Sequence, residues 1–113
     1  MQPNTAVSAT TVPLEHEPVA ADQSVSGSPT TAATALDVIS GLEVGIWEMS
    51  PGVMRDVEAE EVFVVLSGTA LVEFADGTAS LSLSAGDVVR LAEGTQTTWT
   101  VTETLRKVYL TQA

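Results

Sequence analysis

The chain has no cysteine, a single histidine, and only four basic residues against fifteen acidic ones in 113. Each shortage removes a class of function. Without cysteine there are no disulfides and no thiol chemistry, while the redox compartment stays open. The lone histidine, His16, reads as a plain tail residue, and no Ser/His/Asp set, zinc-ligand spacing or phosphate-cradling glycine loop is present. The formal net charge is −11 and the first basic residue is Arg55, so the N-terminal half offers no cationic patch to phosphates. Neither a nucleic acid nor an anionic membrane surface is expected as a partner. No basic stretch leads into an apolar one at the N-terminus, and no apolar run approaches the ~18 residues of a membrane span. A cytoplasmic location is therefore the expectation.

What is present is a series of short, β-branched segments divided by glycine-containing turns. They are Leu36–Ile39, Glu43–Met49, Glu61–Ser67, Ala70–Phe74, Ala79–Leu83, Val88–Leu91, Thr97–Val101 and Leu105–Leu110. The Ala75-Asp76-Gly77 link predicts a hairpin, and no helical period competes anywhere. About eight antiparallel strands in so short a chain predict an all-β sandwich or barrel. Residues 1–34 differ: they carry four of the five prolines and much Ser, Thr and Ala. Met1–Thr11 is expected to be disordered for want of apolar surface. Residues 12–34 read either as an arm across the domain surface, anchored by Leu14, Val19 and Val25, or as a tail. Residues 35–113 form the barrel domain.

The stretch Glu61-Val62-Phe63-Val64-Val65-Leu66-Ser67-Gly68 is the longest apolar run, opened by a carboxylate and closed by glycine. Alternation puts Phe63 and Val65 on one face and Val62, Val64 and Leu66 on the other. A strand apolar on both faces needs cover on both. The barrel interior supplies one cover, and the arm or a second copy of the chain supplies the other, which points to a homodimer.

Four segments carry a family resemblance: Gly45-Ile46-Trp47-Glu48-Met49-Ser50-Pro51-Gly52, Glu61 to Gly68, Gly86-Asp87-Val88-Val89, and Trp99 to Tyr109. In this order they resemble a small single-domain cupin, a jelly-roll β-barrel, of the ureidoglycine aminohydrolase and ethanolamine-utilisation types. The resemblance implies a cupin-type jelly-roll with an N-terminal arm. In metal-dependent cupins a His-x-His pair, a Glu and a further His hold a divalent metal. Here Glu61 stands at the glutamate position, Met54-Arg55-Asp56-Val57 covers the pair, and Thr97 falls at the last histidine. No transition metal or other cofactor is therefore expected, although Asp56, Glu58, Glu60 and Glu61 leave open a carboxylate site for a harder cation.

The candidate site follows. Glu61 is either a general base or ligand-binding carboxylate at the barrel mouth, or half of a structural ion pair. Trp47 and Trp99, with Met49, Phe63 and Tyr109, either line a pocket for a small organic molecule or fill the core. Arg55 either holds a ligand carboxylate in place of a metal or makes a surface pair, and Arg90 is grouped with the pocket. Arg106 and Lys107 read as surface cations, and the run Asp56-x-Glu58-x-Glu60-Glu61 as a solvated loop. The expected function is small-molecule binding in the barrel without a transition metal. Any catalysis is acid–base or hydrolytic through Glu61. The alternatives are a non-enzymatic dimeric binding, sensory or structural module, and a divalent-metal enzyme with carboxylate ligands.

Overall fold

The computed structural model describes all 113 residues. Nine strands and no helix follow one another: β1 (Glu17–Pro18), β2 (Ser24–Ser26), β3 (Thr30–Ile39), β4 (Leu42–Met49), β5 (Gly52–Val57), β6 (Glu61–Phe74), β7 (Leu81–Leu83), β8 (Val88–Leu91) and β9 (Gln96–Gln112). Every pairing is antiparallel, and the sheet curls on itself into an all-β, jelly-roll-like barrel. No helix is long and apolar enough to cross a membrane.

The spine is the pairing of β6 with β9, in register from Glu61 opposite Thr111 to Phe74 opposite Thr97. Its register shifts between Val65 and Ala70. Gly68 sits in that irregularity with φ 88°, and a Cβ on it would collide with the Thr104 carbonyl. Glycine is required there on both counts. The bend lets the two halves of β9 serve different neighbours: Leu105–Gln112 pairs with β4, and Gln96–Val101 with β5. The segments expected as separate strands at 61–67 and 70–74 are thus one bent strand, as are 97–101 and 105–110. Residues 52–57, expected as turn and loop, form β5, because Met54 and Asp56 turn inward opposite Trp99 and Thr97.

The hairpin at Asp76-Gly77 forms, with Asp76 Oδ1 accepting from the Thr78 amide at 2.9 Å and Gly77 at φ 87°. Strand pairing resumes at Leu81 rather than Ala79. Inside the barrel Met49, Phe63, Val65, Val72, Trp99 and Leu105 are enclosed, on the faces that alternation predicts for Phe63, Val65 and Trp99.

The N-terminal third is tied to the sheet more closely than expected. Glu17–Pro18 pairs with β3, Ser24–Ser26 pairs with β5, and β3 begins at Thr30, ahead of the expected domain boundary. Arg106, expected at the surface, explains the placement of residues 1–16. It is buried on the outer face of β9, with Nε donating to the Ala9 carbonyl at 2.9 Å, Nη2 donating to that of Val12, and Nη1 3.1 Å from Glu48 Oε2. His16, far from being a plain tail residue, joins Glu48 Oε1 at 2.7 Å and Thr30 Oγ1 at 2.8 Å. A segment poor in apolar surface is held through its carbonyls instead.

Candidate functional site

The residue after Arg106 points the other way. Successive strand side chains alternate between faces, so Thr97, Trp99, Val101, Leu105, Lys107 and Tyr109 all enter the barrel. Lys107 is 4 % exposed, and the expectation of a surface cation is overturned. It fails because the neighbours that decide burial lie on the same face two residues away, not beside it in sequence. Its Nζ lies 4.1 Å from the Phe63 ring centroid, 4.6 Å from Trp47 and 5.2 Å from Trp99. The rings themselves pack with centroids 5.6 Å apart for Trp47–Trp99 and 5.9 Å for Phe63–Trp99, tilted by 57° and 39°. An ammonium among aromatic faces is held by their quadrupoles. Its one hydrogen-bond acceptor is Glu61 Oε2 at 3.2 Å.

Further acids flank the pair. Glu58, expected in a solvated loop, is only 7 % exposed. Its Oε2 accepts from Thr97 Oγ1 at 2.6 Å and from Trp99 Nε1 at 2.9 Å. The donors that satisfy Glu58 lie some forty residues away on β9, so their proximity is not visible in the local acidic run. Tyr109 donates to Glu43 Oε2 at 2.8 Å. Its ring lies across Gly45, its register partner on β4, where any side chain would overlap the hydroxyl. Glu60 alone of the run faces outward, paired with Arg90 at 2.8 Å.

Burial governs the electrostatics. Desolvation among the rings pulls the Lys107 ammonium below the ordinary lysine value, against the opposing charges of Glu61, Glu58 and Asp56. Burial likewise pushes Glu61 up, against the pull of Lys107. Asp56 is pushed up to about 6, first by burial and then by the charge of Glu58. Tyr109 is raised by burial and by its bond to Glu43.

These side chains open onto a cavity of about 260 Å³ whose walls include Trp47, Asp56, Glu58, Glu61, Lys107 and Tyr109. Of the residues expected there, Trp47, Glu61, Trp99 and Tyr109 converge on it. Met49 and Phe63 lie in the enclosed core, Phe63 with its ring beneath Lys107, and Thr97 is enclosed with Glu58. Arg55 faces outward into a separate depression of about 410 Å³ beside Glu73 and Gln96, and has no carboxylate within ion-pair distance. Arg90 lies outside the barrel. Sequence reasoning missed Lys107 and Glu58. The signal for Lys107 was available: it shares the odd-numbered face of β9 with Trp99, Leu105 and Tyr109.

The donor set does not fit the metal site that the cupin resemblance implies. No three His, Asp or Glu side chains converge as ligands. Thr97 is committed to Glu58, and any cation at Glu61 would meet the Lys107 ammonium.

The curled antiparallel sheet, with acids and Lys107 at its opening, has the jelly-roll-like form of a cupin. The chain belongs to the EutQ-like cupin domain family, whose model matches residues 40–109. Among solved structures it is similar to a Pseudomonas syringae protein of unknown function, with TM-score 0.77 and 25% identity over 94% of this chain and 46% of that one. It is similar to the Clostridium difficile EutQ protein, with TM-score 0.64 and 21% identity over 75% of this chain and 64% of that one. A cupin superfamily protein from Desulfitobacterium hafniense shares 13% identity at TM-score 0.59, covering 73% and 76% of the two chains. The chain therefore spans about half the length of the Pseudomonas protein and under two thirds of the clostridial one. No curated protein matches it.

Proposed function

We propose that this cupin binds a small organic molecule at the barrel mouth without a transition metal, and that Lys107 fills the place of the metal's positive charge. The observation that carries this reading is the buried Lys107–Glu61 pair, enclosed by three aromatic rings at the wall of a cavity of about 260 Å³. An isolated buried ion pair contributes little to stability, because desolvation offsets its attraction. Its position at a concave, aromatic-walled opening supports a role in binding. The carboxylates beside it favour a neutral or cationic ligand over an anion. If chemistry occurs, Glu61 is the proton acceptor, with Lys107 as its partner.

Trp47 and Trp99 are the only tryptophans, and both border the pair, so occupancy is readable as intrinsic fluorescence. In a titration with a panel of small neutral and amine compounds, at least one class should change the emission saturably, and Glu61→Gln should weaken that response without unfolding the protein. A variant that loses stability but keeps the response would reduce Glu61 to a structural residue.

The outer face supports a second copy of the chain as partner. Leu42, Val88 and Leu110 stand exposed beside half-buried Val62 and Val64 on that face, which the N-terminal segment leaves bare. Light scattering at micromolar concentration should give the mass of two chains, and the mass of one removes this part of the reading.

A further inference from the structure

We propose that Lys107 is a nucleophile that captures a small, uncharged aldehyde or ketone as an imine. The inference rests on the binding reading above and names its ligand class. Lys107 is the only lysine in the chain, and it is spent inside the barrel, where a lysine is among the residues least readily enclosed. A surface-stabilising role is excluded by its place, and Lys107 lines a cavity together with Asp56, Glu58 and Glu61. Two groups needed for carbonyl addition are already together: the amine, and a carboxyl 3.2 Å away to carry protons. Burial works in the same direction on both, favouring a neutral amine beside a neutral acid.

The step balances without any further reactant. Lys107 passes a proton to Glu61, and the Nζ lone pair attacks the carbonyl carbon as the C–O π electrons move to oxygen. Glu61 protonates that oxygen, takes a proton from nitrogen, and returns it as the C–O bond breaks and water leaves. The product is a protonated imine with the same single positive charge that the ammonium carried. It rests in the same ring of aromatic faces and against the same Glu61 carboxylate. Asp56, Glu58 and Glu61 face the ligand side, so a carbonyl compound bearing its own carboxylate is disfavoured.

The test is reductive trapping of the 113-residue chain with propanal and cyanoborohydride near pH 7, followed by intact-mass and peptide mapping. Only two amines compete, Lys107 and the Met1 α-amine. One propyl group should appear on Lys107, formed faster than on Nα-acetyl-lysine amide, since burial holds the ammonium below the ordinary lysine value and leaves more of the amine free. Pyruvate should label it far more slowly, and Glu61→Gln should slow propanal trapping without altering Met1 labelling. Labelling confined to Met1, or no faster at Lys107 than on the free amide, overturns the proposal. Tryptophan emission separates the two readings. Saturable quenching by propanal with no label on Lys107 leaves the binding site standing and removes the nucleophile, whereas neither quenching nor label removes both.

Discussion

Arg106 and Lys107 are neighbours in sequence, of the same charge and both buried, yet one faces out of β9 and the other in. Outside, Arg106 spreads a planar fork over two carbonyls of the N-terminal segment and Glu48, using the several donors that a guanidinium provides. Inside, Lys107 has one carboxylate acceptor and three aromatic faces. The first arrangement fixes chain to chain and leaves nothing for a ligand. The second leaves a compact amine with few hydrogen bonds at the edge of a cavity. The donors of Arg106 are used up by backbone and a carboxylate, whereas Lys107 has a single hydrogen-bond acceptor.

The largest effect should come from Lys107. Lys107→Ala strips the partner from a buried carboxylate and leaves a void under the rings, so urea denaturation should show a loss of about 3 kcal/mol. Lys107→Met should recover most of it, since a thioether suits aromatic neighbours and Glu61 can take up a proton. Failure of Met to rescue would mean that the charge itself holds the barrel closed. Arg106→Ala should cost less, about 2 kcal/mol, because Glu48 keeps His16 and some contact with water. Its distinguishing sign is local: amide hydrogen exchange should quicken across residues 1–16 while the emission of Trp47 and Trp99 stays unchanged. A shift in that emission would show that the two faces of β9 are not independent.

The smallest effect concerns Asp56, whose pKa rises from 3.8 to about 6 on folding. The folded chain then binds more protons than the unfolded one between those values, so this group's contribution favours folding at low pH and is lost as pH rises through about 6. The stability difference between Asp56→Asn and the parent should grow from pH 4 to pH 6 and then level off. A difference that is flat across this range would place Asp56 in ordinary solvent.

The barrel was legible because its signals are local: alternation in Thr97–Val101, the Asp76-Gly77 turn, and the apolar run from Glu61 to Gly68. Alternation also reaches Lys107, which needed only to be carried across Thr102–Thr104 from Trp99. The remainder was not legible, because it depends on pairs distant in sequence. Nothing beside Glu58 announces Thr97 and Trp99 as its donors, and nothing in residues 1–16 announces a guanidinium ninety-odd positions away. Arg55 misled for the opposite reason, since its place in a family pattern says nothing about which way a strand residue faces.

The pairing of β9 with β4, β5 and β6 carries a consequence for how the molecule comes into being. Until residues 96–112 exist, β5 and β6 lack their main partner and β4 keeps one open edge, so during synthesis they wait with unpaired edges and exposed apolar side chains. Such long-range pairing makes for slow folding and a vulnerable interval beforehand. A ribosome stalled before residue 96 would therefore hold a chain without a barrel, and loss of the last dozen residues from β9 should leave no smaller stable fragment behind.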